Sequence, residues 1–136
     1  MNMKKKISTL LAVLFITLST SIALGQSAVA WFSLDGTIAG AKVNGSMTLL
    51  EGGRVEGSYG YNKNTRSNPN AYLQLYGTWR RTGSNTYQLS ITEYSNKGHV
   101  SGTWNVTFNE SKGRITGTMR NSKGKTYKVN CKTYWD

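Results

Sequence analysis

Val100-Ser-Gly-Thr-Trp-Asn-Val-Thr-Phe108 alternates without a break. Apolar residues or glycine occupy 100, 102, 104, 106 and 108, and polar residues occupy 101, 103, 105 and 107. A period of two predicts a half-buried β-strand with its bulky side chains on one face. The trio Gly102-Thr103-Trp104 recurs in kind at Gly36-Thr-Ile38, Gly45-Ser-Met47, Gly57-Ser-Tyr59, Gly77-Thr-Trp79 and Gly117-Thr-Met119. Repeated inward glycines remove side chains beside large ones and let strands bend sharply.

Working outward from that run, eight strands are predicted at 31–38, 41–50, 54–62, 71–80, 86–94, 99–108, 113–120 and 125–134. The joins carry turn residues, as at Ala39-Gly40, Gly52-Gly53, Ser95-Asn-Lys-Gly98 and Asn121-Ser-Lys-Gly124. No segment carries a helical apolar stripe. Eight successive hairpins, each with one apolar face, predict an all-β fold: an eight-stranded antiparallel up-and-down meander barrel, which removes open sheet edges by closure. A two-sheet β-sandwich is the second architecture. The predicted inward set includes Ile38, Val43, Met47, Leu49, Val55, Tyr59, Tyr61, Leu73, Leu75, Trp79, Tyr87, Leu89 and Ile91. It continues through Val100, Trp104, Val106, Phe108, Ile115, Met119, Tyr127, Val129 and Cys131.

The chain of 136 residues suits one domain. Residues 1–25 read as a secretory signal peptide: Lys4, Lys5 and Lys6 precede an apolar run from Ile7 to Leu24, followed by small residues. Cleavage after Gly25 leaves 26–136 as the barrel domain, and Ala30 is the other candidate site. An uncleaved anchor is the alternative, opposed by the shortness of the run and its Ser and Thr content. The expected location is therefore secreted or periplasmic, with no membrane span after cleavage. A single cysteine, Cys131, excludes an internal disulfide. Loss of the three leader lysines takes the 17 basic residues to 14 against 6 acidic ones, a charge of +8. Such a surplus either attracts anionic ligands or keeps a secreted domain soluble.

The stretch Gly45-Ser-Met-Thr-Leu-Leu-Glu-Gly-Gly-Arg-Val-Glu-Gly-Ser-Tyr59 resembles the second and third strands of the avidin and streptavidin family. The resemblance implies an eight-stranded meander barrel with a pocket at one end, and it sets Tyr59 where the family's tyrosine meets the bound ring. The family's first-strand asparagine and serine and its late-strand aspartate have no counterpart here, so biotin is not the implied ligand.

In a meander, alternate joins share one rim. The joins after strands one, three, five and seven carry Lys63, Arg66, Lys97, Arg120, Lys123 and Lys125, with His99 close by. The opposite rim mixes Arg54, Arg80, Arg81, Lys112 and Arg114 with Glu51, Glu56 and Glu110. The first rim also holds the long polar loop 62–70, either a recognition loop or a solvated hairpin tip. Beneath it Tyr59, Tyr61 and Tyr127 are expected to line a small-molecule pocket with Glu93. Glu93 continues the inward phase of Leu89 and Ile91, and it is expected to be wet and paired with a rim lysine. Trp104 either fills the lumen or floors the pocket. Trp79, Tyr87 and Phe108 are expected to plug the far end, with Trp31 packing nearby.

Catalytic chemistry finds little support. One histidine and one cysteine cannot build a zinc site. Glu51 and Glu56 flank an exposed turn with Arg54 between them, which reads as solvated charge rather than an acid/base pair. No phosphate-cradling loop or nucleophile motif is present and no strong nucleic-acid motif, and no cofactor is implied. The expected function is a non-catalytic barrel holding a small, anionic ligand at its basic end. It would use Tyr59, Tyr61, Glu93, Trp104 and Tyr127 inside, with Lys63, Arg66, Lys97, Lys123 and Lys125 outside. The alternative is a filled barrel whose outer Tyr76, Arg80, Tyr94, Arg114 and Arg120 meet an acidic cell-surface polymer or protein.

Overall fold

Alternation in eight consecutive segments closes into a single antiparallel barrel in the computed structural model, which describes residues 27–135. The strands are β1 (Ala28–Ile38), β2 (Ala41–Leu50), β3 (Arg54–Tyr61), β4 (Leu73–Arg81), β5 (Thr86–Tyr94), β6 (Val100–Asn109), β7 (Arg114–Asn121) and β8 (Thr126–Tyr134). Each pairs with its neighbours in sequence, and β1 closes on β8 through Ser33–Ile38 against Val129–Tyr134. The meander barrel is therefore the architecture, and the sandwich is not. The leader expected over residues 1–25 lies outside the described residues. Among the described residues no helix is long and apolar enough to cross a membrane.

Turn chemistry sets the register. Ala39 and Gly40 both adopt positive φ, 55° and 80°, so a two-residue turn joins Ile38 to Ala41 with the twist that flanking strands need. Inward glycines repeatedly stand opposite a larger inward residue: Gly45 pairs with Tyr59, Gly77 with Ile91 and Gly117 with Val106. The space is already taken by backbone. A Cβ on Gly77 would lie 2.7 Å from the Ile91 Cα and closer still to the Ser90 carbonyl oxygen. These close approaches coil the sheet enough to close it.

The predicted inward residues form the core with one exception and five additions. Val100 is 55% exposed. The pairing of β5 with β6 slips between Glu93 and Tyr94, so that Glu93 faces Gly102 while Tyr94 faces Val100. Ser101 is the extra residue of a β-bulge, and a bulge reverses the phase on its far side. The additions are Ala30, Phe32 and Leu34, all buried, with Val29 and Trp135 packed against the core. β1 starts three residues before the expected position, and Ala28, Ala30, Phe32 and Leu34 share the inward phase of Ile38. Trp31 is half-buried on the other face of β1 and takes no part in the plug.

Phe32 and Trp135 complete the plug instead. Phe32 stacks on Phe108 with ring centroids 4.7 Å apart, Tyr87 stacks on Phe108 at 5.7 Å, and Trp135 meets both phenylalanines edge-on. Trp79 packs edge-on against Tyr87 and donates its indole N–H to the Leu50 carbonyl at 2.8 Å. Glu110 is buried here and accepts the Tyr87 hydroxyl, so it does not add to the surface charge of that rim. Aromatic pairs of this kind add about 0.5–1.5 kcal/mol each beyond their area burial.

Candidate functional site

At the other end, three strands bring a carboxylate under the barrel mouth. Glu93 of β5 is 4% exposed. Its Oε1 accepts the Tyr59 hydroxyl at 2.6 Å and the Trp104 indole N–H at 2.9 Å, and its Oε2 accepts the Ser101 hydroxyl at 2.7 Å. The bulge in β6 is what turns Ser101 toward it. The expected lysine partner is not there: neutral donors, not a cation, satisfy this carboxylate. Tyr59 is fully buried and packs edge-on against Trp104 at 5.0 Å. Trp104 thus fills the lumen and floors the mouth at once.

The rings above this floor are half-buried. Tyr61 packs edge-on against Tyr59 at 5.8 Å, and Lys125 Nζ sits 5.9 Å above the Tyr127 ring. Burial raises the Tyr61 phenol pKa, the charges of Glu93 and Tyr127 raise it further, and a hydrogen bond with Tyr59 opposes them. Burial, then the charge and hydrogen bond of Glu93, hold the Tyr59 phenol far above its ordinary 10.0. Below pH 10 Tyr59 is protonated in folded and unfolded chains alike, and its contribution to stability is constant. Above pH 10 only the unfolded chain gives up the proton, so stability falls by about 1.4 kcal/mol per pH unit. Cys131, pushed up to about 11 mainly by burial, starts the decline above pH 9. Urea midpoints measured from pH 7 to 11.5 are expected to stay level and then drop, and Tyr59→Phe is expected to make the alkaline limb shallower by about one proton. An unchanged slope in that variant would show that Tyr59 ionises freely in the fold.

The loop over residues 62–72 has structure of its own. A single helical turn, α1 (Asn62–Thr65), continues directly from β3, and a 3-10 turn follows at Pro69–Ala71, where the Asn68 side chain accepts from the Asn70 N–H at 3.0 Å. Tyr72 donates its hydroxyl to Asn44 Oδ1 at 2.9 Å, and Asn44 in turn donates to Asn62. The Thr65 methyl lies over Gly60, where only a glycine leaves room. These contacts brace the loop against the outer wall of β2 and β3, so it forms one side of the mouth rather than a solvated tip.

Between α1 and the start of β2 lies a depression of about 600 Å³ lined by Lys42, Tyr61, Asn62, Lys63, Asn64 and Arg66, with Ala41 at its edge. Three of the predicted residues, Tyr61, Lys63 and Arg66, meet there. Lys97, Lys123 and Lys125 stand exposed on other turns of the same rim and do not line it. Tyr59, Glu93 and Trp104 lie beneath, bonded to one another. Lys42 was hidden to rim counting because it sits inside β2 rather than in a turn. Its place opposite Thr37, one pair in from Ala39-Gly40, is the signal that puts it near this end. Among the described residues no three His, Cys, Asp or Glu side chains come together as a metal site. His99 is exposed, its backbone N–H bonded to the Ser95 hydroxyl. Compared with models of protein families, with curated proteins and with solved structures, the chain matches none.

Proposed function

We propose that this protein is a secreted, non-catalytic binding protein that takes a small anionic ligand at the basic end of the barrel. The observation that carries the reading is the depression at the mouth. There a half-buried phenol, Tyr61, stands among Lys42, Lys63 and Arg66, and no acidic residue lines the hollow. The ring offers a stacking surface and the cations offer charge. At ~6 Å in water each cation contributes about 0.7 kcal/mol toward a monovalent anion, so three together give about 2 kcal/mol, or roughly thirtyfold in Kd.

Titration with an aromatic sulfonate as probe tests this. The Lys63→Ala/Arg66→Ala double variant is expected to weaken binding by about tenfold with the melting temperature unchanged. Equal affinity in the double variant rejects the site. Native mass spectrometry of the protein taken from its own secretion medium is the route to the natural ligand. Export would follow cleavage after Gly25 rather than after Ala30. The Glu51 N–H donates to the Ser27 carbonyl, and Ala30 is buried in β1, so the later cut would strip paired residues from the barrel.

A second reading, an acidic polymer as partner, has one observation in its favour. A further depression of about 470 Å³ on the wall of β8, β1 and β2 shares Lys42 and Asn62 with the mouth and adds Arg114 and Lys132, with Asp35 among them. A polymer spanning both hollows would lose affinity steeply with salt and respond to Arg114→Ala. A small ligand at the mouth would not respond to that variant.

A further inference from the structure

The wall formed by β4, β5 and β6 carries a patch of uncharged polar residues toward the mouth. The outward positions from Gln74 to Thr78, from Gln88 to Tyr94 and from Thr103 to Thr107 are Gln, Asn, Ser, Thr and Tyr. None of these carries a charge, and charges begin at the border of the patch, with Glu56 opposite Tyr76 and Arg80 opposite Gln88. On this wall Tyr76 is 46% exposed and packs edge-on against Tyr94, with centroids 5.9 Å apart and ring planes at 62°. Toward the mouth from that pair lies a depression of about 480 Å³ lined by Asn70, Tyr72, Gln74 and Asn96. Asn96 donates to the Asn70 carbonyl at 3.2 Å, which ties the β5–β6 turn to the 3-10 turn and fixes one edge of the hollow.

We infer that this wall is a binding site for a single chain of uncharged polysaccharide built of glucose-like, β-linked units. The hollow offers carboxamides, each of which donates and accepts. That is the pairing a sugar hydroxyl needs, since it also does both. No charged residue lines the hollow, so a charged ligand seated in it would lose hydration without a counter-ion. The rings supply apolar faces, and a pyranose with all its hydroxyls equatorial presents C–H bonds on both of its own. Because Tyr76 and Tyr94 are inclined to each other, they do not form the flat platform that a crystalline polymer surface requires. A twisted, soluble chain can meet first one ring and then the other. The site is separate from the basic mouth in residues and in chemistry, so it stands whether or not the anion reading does.

Titration calorimetry of the full secreted chain with soluble mixed-linkage β-glucan tests it at about 0.05 and 0.5 M NaCl. Neutral recognition is expected to give the same Kd at both, whereas an electrostatic site weakens by orders of magnitude. Tyr76→Ala is expected to weaken binding by about tenfold or more and Asn96→Ala by about threefold. Lys63→Ala/Arg66→Ala is expected to bind the glucan as the parent does. Both Tyr76 and Asn96 are exposed, so unchanged melting temperatures confirm that the variants are folded. No binding by the parent, equal binding by a folded Tyr76→Ala, or affinity that collapses in high salt would each overturn the assignment.

Discussion

Glu93→Ala is expected to lower the stability of the barrel by about 3–5 kcal/mol, and Glu93→Gln by about 1–2 kcal/mol. The alanine variant leaves the Tyr59 hydroxyl and the Trp104 indole N–H without their acceptor, and it leaves the Ser101 hydroxyl only the main-chain carbonyl of residue 93 at 3.4 Å. A buried donor stripped of its partner costs about 1–3 kcal/mol, and the low local dielectric keeps that cost high. Both stripped donors sit on residues no more than 2% exposed, so water cannot replace the lost oxygen without opening the mouth. Glutamine keeps an oxygen for Tyr59 and Trp104 and turns an amide N–H toward Ser101, whose hydroxyl then accepts. The ranking of the two variants is therefore the test. Urea unfolding followed by tryptophan emission measures it, and an alanine variant as stable as the parent would show that the network is dispensable.

Gly77→Val is expected to cost about 4 kcal/mol or more and Gly77→Ala about 2–3 kcal/mol. The new Cβ meets the Ser90 carbonyl and the Ile91 Cα, both backbone, so no side-chain rotation relieves the overlap. Relief requires β4 to move off β5, which breaks pairing along Gln74–Arg81. The whole fold holds about 5–15 kcal/mol, so the valine variant stands near the threshold of folding. Gly40→Ala is the control. Nothing lies within 4 Å of its Cβ, and only its positive φ, 80°, resists, which costs about 1–2 kcal/mol. Thermal melts that rank Gly40→Ala below Gly77→Ala would refute the close-approach account of these glycines.

The barrel is legible in the sequence because alternation with period two survives in every strand. Leu34 and Phe32 obey the same rule, two and three steps of two before Ile38. They are masked because the apolar leader runs almost into β1 and hides where the strand begins. Val100 is misread for a different reason. Alternation cannot sense an extra residue, and the bulge at Ser101 inserts one. The inward phase of Glu93 is legible, but its partners are not. Tyr59 and Trp104 come from other strands, and Ser101 is turned inward by the bulge itself. At the mouth, Lys63 and Arg66 can be placed from their turn, while the tie of Asn44, Asn62 and Tyr72 that braces the loop follows no period. Charge counts by rim also mislead where a carboxylate is buried, as Glu110 is.

An even number of strands returns the chain to the side it started from. Ser27 and Trp135 both lie at the aromatic plug, where the Ser27 carbonyl meets the Glu51 turn and the Trp135 ring meets Phe32. Whatever is fused or tethered before Ser27 or after Trp135 therefore departs from that base. A barrel attached to a bead, a fluorophore or a cell envelope by either terminus holds its cationic opening outboard, free to sample solution.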